Sequence, residues 1–112
     1  MKRSWIVTRD KIDATIRQLV KVAKPRRIIL FGSAAHRGKR TPRDVDLLIV
    51  SPKSVTSPRR ESVRIRRALR GIAMPMDILV ISERRLREVA DRPGLVYWEA
   101  VRGGKVVYDA TK

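Results

Sequence analysis

Residues 27–50, R-I-I-L-F-G-S-A-A-H-R-G-K-R-T-P-R-D-V-D-L-L-I-V, constrain this chain more than any other stretch. An apolar run at 28–31 leads straight into a Gly-Ser pair. A basic segment follows, and then two aspartates one residue apart stand at the mouth of a second apolar run. The first run is apolar on both faces, as a central strand is. Side chains alternate along a strand, so Asp44 and Asp46 point to the same side, where two carboxylates repel each other unless a divalent cation sits between them. Gly32 and Ser33 are the residue types that let backbone amides and a hydroxyl close on a phosphate at a strand-to-helix turn. A metal site facing a phosphate site is the minimum equipment for nucleotidyl transfer.

Elsewhere the chain supplies the elements such a sheet needs. Ile12, Ile16, Leu19, Val20 and Ala23 recur at helical spacing over about 8–24, with Thr8 as N-cap and Pro25 as terminator. Ala34, Ala35 and His36 begin a short helix after the Gly-Ser pair, 38–42 is a loop, and 45–50 is the second strand. Residues 51–58 carry turn chemistry without periodicity. A basic helix over 59–73 follows, with Val63, Ala68, Leu69 and Ile72 as its narrow apolar stripe among arginines. Residues 76–81 read as a third strand holding Asp77 near its start. Ser82 caps a helix reaching Asp91, with Leu86, Val89 and Ala90 inward, and a last helix spans about 95–102 before Gly103 and Gly104. Residues 105–109 alternate enough for a short edge strand. The expected architecture is α/β: a small sheet of about three core strands plus an edge strand, flanked by about four to five helices.

Length and charge bound the function. At 112 residues the chain is expected to be one domain, 1–112. Lys and Arg number 27 against 11 Asp and Glu, a formal charge of +16 that favours anionic partners such as a nucleoside triphosphate, RNA, DNA or an acidic protein. The absence of cysteine excludes disulfides, thiolate metal sites and a thiol nucleophile. The apolar stretch at 5–7 is too short for a signal peptide and no run approaches membrane-spanning length, so a cytoplasmic protein is the default expectation.

Asp13, Glu61, Glu83 and Glu88 fall on expected helix surfaces among arginines and read as solvated charge partners. Asp44, Asp46 and Asp77 differ because they adjoin the strongest strand signals, and burying a carboxylate is costly unless it is paired or ligated. Together with Leu30-Phe31-Gly32-Ser33, the spacing from Gly32 to Asp44, the run Asp44-Val45-Asp46-Leu47-Leu48-Ile49-Val50 and the later Met76-Asp77-Ile78-Leu79-Val80, they give a chain that resembles the polymerase β-like nucleotidyltransferases, and among them the minimal nucleotidyltransferases. The likeness covers about 27–81.

The resemblance implies the polymerase β-like fold and a role for each matched position. Gly32 and Ser33 hold the β and γ phosphates of a nucleoside triphosphate, Asp44 and Asp46 ligate Mg²⁺, and Asp77 completes the site as ligand and as acceptor of the attacking hydroxyl's proton. Such chemistry is largely positioning and electrostatics, so neither His nor Cys is required. The chain departs from the family in having Ala34, Ala35, His36 and Arg37 where Arg-Ala-Arg-Gly often follows the Gly-Ser pair. It also has Arg43 where a serine commonly precedes the first aspartate. Arg37, Arg40 or Arg43 are the candidates to replace the missing charge.

By the same resemblance the expected activity is Mg²⁺-dependent transfer of a nucleoside monophosphate, AMP from ATP, onto a hydroxyl. The acceptor it implies is a tyrosine of a HEPN-type toxin, with this protein as the antitoxin. The alternative is a non-catalytic basic module on the same fold that holds an acidic protein or RNA. A homo-oligomer stays open, a membrane is not expected as a partner, and nucleic-acid binding through the basic surface is not favoured because aromatic residues are few. His36 reads as a helix-start residue without catalytic duty; Trp5, Tyr97 and Trp98 read as core or dimer-contact residues.

Overall fold

The apolar runs do become the strands. The computed structural model describes residues 5–35 and 43–112. Their elements run α1 (Arg9–Ala23), β1 (Arg27–Phe31), a 3₁₀ turn (Gly32–Ala35), β2 (Val45–Ser51), α2 (Pro58–Ala68), β3 (Met76–Ser82), α3 (Glu83–Val89), α4 (Val96–Gly103) and β4 (Lys105–Asp109). The sheet is mixed, in the order β3-β2-β1-β4. β1 lies antiparallel to both β2 and β4, and β2 lies parallel to β3. The α/β architecture and the edge position of the 105–109 strand are as the sequence led us to expect. The readings of His36 and of a loop at 38–42 lie outside the described residues.

Strand alternation sends two apolar sets to opposite faces of the sheet. Ile28, Leu30, Val45, Leu47, Ile49, Ile78 and Val80 join Leu19 of α1 and Ile65 of α2 in one core cluster. Ile29, Phe31, Leu48, Val50 and Ile81 join Leu86 and Val89 of α3 and Ala100 of α4 in the other. Helices therefore cover both faces. Among the described residues no helix is long and apolar enough to cross a membrane.

Helix ends follow local chemistry. Thr8 Oγ1 accepts from the Lys11 amide at 3.2 Å, and α1 ends with Lys24 in the left-handed region, its amide donating to Val20 O at 3.3 Å. Ser57 caps α2 by accepting from the Arg60 amide at 3.3 Å, with Pro58 in the first helical turn where its missing N–H costs nothing. Ser82 caps α3 through the Arg85 amide at 3.1 Å.

The basic helix needs correction. α2 stops at Ala68, and the Leu69 and Ile72 amides turn back to Arg66 O at 3.1 Å and Leu69 O at 2.9 Å before the next strand. Leu69 of the expected stripe is buried, as read, but Val63 is 43% exposed and the fully buried position on the helix's inward face is Ile65. Ser62 shares that face and donates its hydroxyl to Ile78 O at 2.9 Å, so a polar residue sits within the stripe and disguises it.

Candidate nucleotidyl-transfer site

The site is built at one end of the sheet by register. Asp44 precedes β2 and Asp46 is its second residue, so both lie on the same side of the strand. In β2·β3 pairing Asp46 stands opposite Asp77, and in β1·β2 pairing it stands opposite Phe31, the residue before Gly32. Asp46 shares its face with Leu48 and Val50, the face that α3 and α4 cover. The three carboxylates each place an oxygen within 4.8 Å of the others.

Electrostatics single out Asp46. Its carboxyl is held above the usual carboxylate range, first by burial, then by the negative charges of Asp44 and Asp77 and a shared hydrogen bond with Asp77. Among the described residues one cation pairs with the triad: Arg66 Nη2 lies 3.6 Å from Asp77 Oδ1, with the Asp77 side chain 69% exposed. Among the described residues Asp44 and Asp46 form no ion pair. The acids read as charge partners behave so: Arg9–Asp13 at 3.7 Å, Arg64–Glu61 at 2.6 Å, Arg85–Glu88 at 2.9 Å, and Glu83 facing Arg26 and Arg27 at 3.4 and 3.8 Å.

The donor set fits a hard divalent cation. Oxygens around Mg²⁺ lie at roughly 2.0–2.1 Å from it and hence up to about 4.2 Å apart across the ion, so small side-chain adjustments close a triad already within 4.8 Å. Gly32 adapts the neighbouring turn to these acids: its φ is +72°, and a Cβ there would collide with Asp46 Oδ2. Only glycine satisfies both the left-handed backbone and the close approach. Ser33 follows it in the 3₁₀ turn, exposed to solvent.

Beside these residues opens a cleft of about 440 Å³ lined by Phe31, Gly32 and Asp46 on the sheet side and by Trp98, Glu99, Arg102 and Gly103 of α4. The α4 residues were not picked out as site residues by sequence reasoning. Tyr97 packs against the second core cluster, consistent with a core role, whereas Trp98 is only half-buried and lines the cleft, so of its two readings, core or dimer contact, the core one does not hold. α4 reaches this position because Gly104 packs against β1, where a Cβ would meet Ala100 O, Ile29 Cγ2 and Leu30 O. The Gly103-Gly104 pair was the one available signal. Arg37 and Arg40, candidates for the missing charge, lie outside the described residues, and Arg43 is exposed.

A mixed sheet that brings three carboxylates and a glycine turn to one end has the makings of a metal-assisted phosphoryl-group handler. Residues 11–112 match the family described as Polymerase beta, Nucleotidyltransferase, and the chain belongs to it. Its fold and its general class, nucleotidyl transfer, follow from that membership. No curated protein and no solved structure matches the chain.

Proposed function

We propose that the protein is a Mg²⁺-dependent nucleotidyltransferase that moves AMP from ATP onto a hydroxyl, with a tyrosine of a HEPN-type toxin as acceptor and an antitoxin role as the result. The observation that carries the enzymatic part is the convergence of Asp44, Asp46 and Asp77 within 4.8 Å beside Gly32. Asp44, Asp46 and Asp77 hold the ion. When bound it neutralises charge on the triphosphate and on the leaving pyrophosphate. Gly32, lacking a side chain, lets the phosphates approach its backbone, and Ser33 adds an amide and a hydroxyl. Asp77, the most exposed of the acids, accepts the proton of the incoming hydroxyl. The target and the antitoxin role rest on the resemblance to minimal nucleotidyltransferases.

The test is transfer of label from α-labelled ATP, with Mg²⁺, to the product of the adjacent gene. Loss of labelling in Asp44→Asn and Asp46→Asn supports the proposal; undiminished labelling in both defeats it. A second reading has one specific observation behind it. Arg59, Arg60, Arg64 and Arg67 of α2 surround the exposed Val63 in a shallow cleft of about 550 Å³, a basic surface suited to an acidic partner. Were the protein only a binding module, partner affinity would survive loss of the aspartates and fall steeply with added salt, with no transfer under any condition.

A further inference from the structure

The residues of α4 form a wall with its own chemistry. Trp98 and Arg102 are one helical turn apart, and the Arg102 guanidinium carbon lies 5.2 Å from the centre of the Trp98 ring. This is a cation–π contact in which the guanidinium lies over one face of the indole, so the pair makes a two-layer stack with outer faces left to a further flat group. Glu99 stands beside them on the same cleft, and Ala100, fully buried, anchors the helix from behind. The cleft's volume of about 440 Å³ suits a small molecule, since pockets for such ligands run to roughly 300–1,000 Å³. Its opposite wall is Gly32 and Asp46, where the triphosphate is placed under the reading above.

We propose that the Trp98–Arg102 platform of α4 is the nucleobase subsite of this cleft, with Glu99 accepting a hydrogen bond from a base amino group. The inference rests on the nucleotidyltransferase reading and adds the part of the substrate it recognises. A triphosphate held at Gly32 projects its nucleoside along the cleft, and the far wall offers a stacking surface. Indole and guanidinium planes both stack on bases. A phosphate is the poorer occupant of this end. Arg102 is already engaged with the Trp98 face, and the Glu99 carboxylate beside it repels an anion. Adenine, guanine and cytosine each offer an exocyclic amine to such an acceptor, whereas uracil offers only its ring N3–H.

The chain has two tryptophans, so Trp5→Phe, at an exposed position, leaves Trp98 as the sole indole reporter. In that background a non-hydrolysable ATP analogue with Mg²⁺ is expected to quench Trp98 fluorescence, while inorganic tripolyphosphate binds, by calorimetry, without quenching. Trp98→Ala is expected to weaken the analogue by roughly fivefold to a hundredfold, the range that stacking on one aromatic supplies, with tripolyphosphate affinity within about twofold. Trp98→Phe restores most of the loss. Equal quenching by tripolyphosphate, or an unchanged analogue affinity in Trp98→Ala, overturns the subsite. The two readings fail separately: retained transfer in the aspartate variants sinks the catalytic assignment, while discrimination between analogue and tripolyphosphate at Trp98 still upholds the base subsite.

Discussion

Replacing Asp46 with Asn is expected to make the metal-free protein more stable. Asp46 faces two other carboxylates within 4.8 Å, and two like charges at that distance repel by about 0.9 kcal/mol even at the dielectric constant of water. Screening at physiological salt, with a Debye length of about 8 Å, leaves roughly half of each, so relief from both neighbours amounts to about 1 kcal/mol. For a domain of this size that raises Tm by about 4 °C. The substitution also adds one charge to a chain already at +16, which works the other way. The added charge acts over distances beyond the Debye length, and the local relief wins. The sign with pH is fixed by the direction of the Asp46 shift: the folded state holds its proton more tightly than the unfolded chain. Wild-type stability therefore falls as pH rises from the ordinary carboxylate range through the raised value, and the Asn variant escapes that loss. The advantage is present above the raised value and absent at low pH. Mg²⁺ inverts the order: an ion at ten times its dissociation constant stabilises the wild type by about 1.4 kcal/mol and should do little for Asp46→Asn. Thermal melts in EDTA and in Mg²⁺, at pH 3 and pH 7, read all of this. Asp91→Asn, an exposed position making the same change in net charge, is the control. If Asp46→Asn in EDTA at pH 7 is no more stable than Asp91→Asn, the mutual repulsion inferred from the geometry is wrong.

Three further outcomes are expected. Gly32→Ala forces an alanine to φ +72° and pushes a methyl into Asp46 Oδ2; it should cost about 1–2 kcal/mol of stability from the backbone alone and weaken Mn²⁺ binding, measured by urea unfolding and calorimetric titration. Ile65→Ala empties a fully buried position on α2 and should cost about 2–5 kcal/mol. Val63→Ala, two residues away on the exposed side, should stay within about 0.5 kcal/mol in the same urea series. Gly104→Ala drives a methyl against Leu30 O and Ile29 Cγ2; it should destabilise by about 1–3 kcal/mol and shift Trp98 emission as α4 is displaced from β1.

The strands and the carboxylates were legible because both obey short-range rules. Ile28 to Phe31 is apolar without interruption, and a period of two puts Asp44 and Asp46 on one side whatever else the chain does. That Asp46 stands opposite Asp77 is a fact of parallel register, set by how α2 packs across the sheet, and no spacing in the sequence contains it. Ile65 was left out of the inward stripe of α2, and Val63 put in it, because arginines flank Ile65 and a serine shares its inward face. The place of Trp98 on the cleft was not legible for a different reason. Its place depends on β4 pairing back onto β1, with an irregularity between Ile28 and Ile29, and on Gly104 permitting the contact. Two neighbouring glycines hint at close approach, and they do not say to what.

The strand order has a consequence for assembly. Asp44 and Asp46 come with β2, which pairs with its sequence neighbour β1, whereas Asp77 arrives on a border strand only after a helix has crossed the sheet. Local pairing closes early and crossover pairing late, because the longer loop must be ordered first. A nascent chain thus brings two of the three carboxylates together first, and the complete triad reports that the parallel crossover pairing of β2 with β3 has formed.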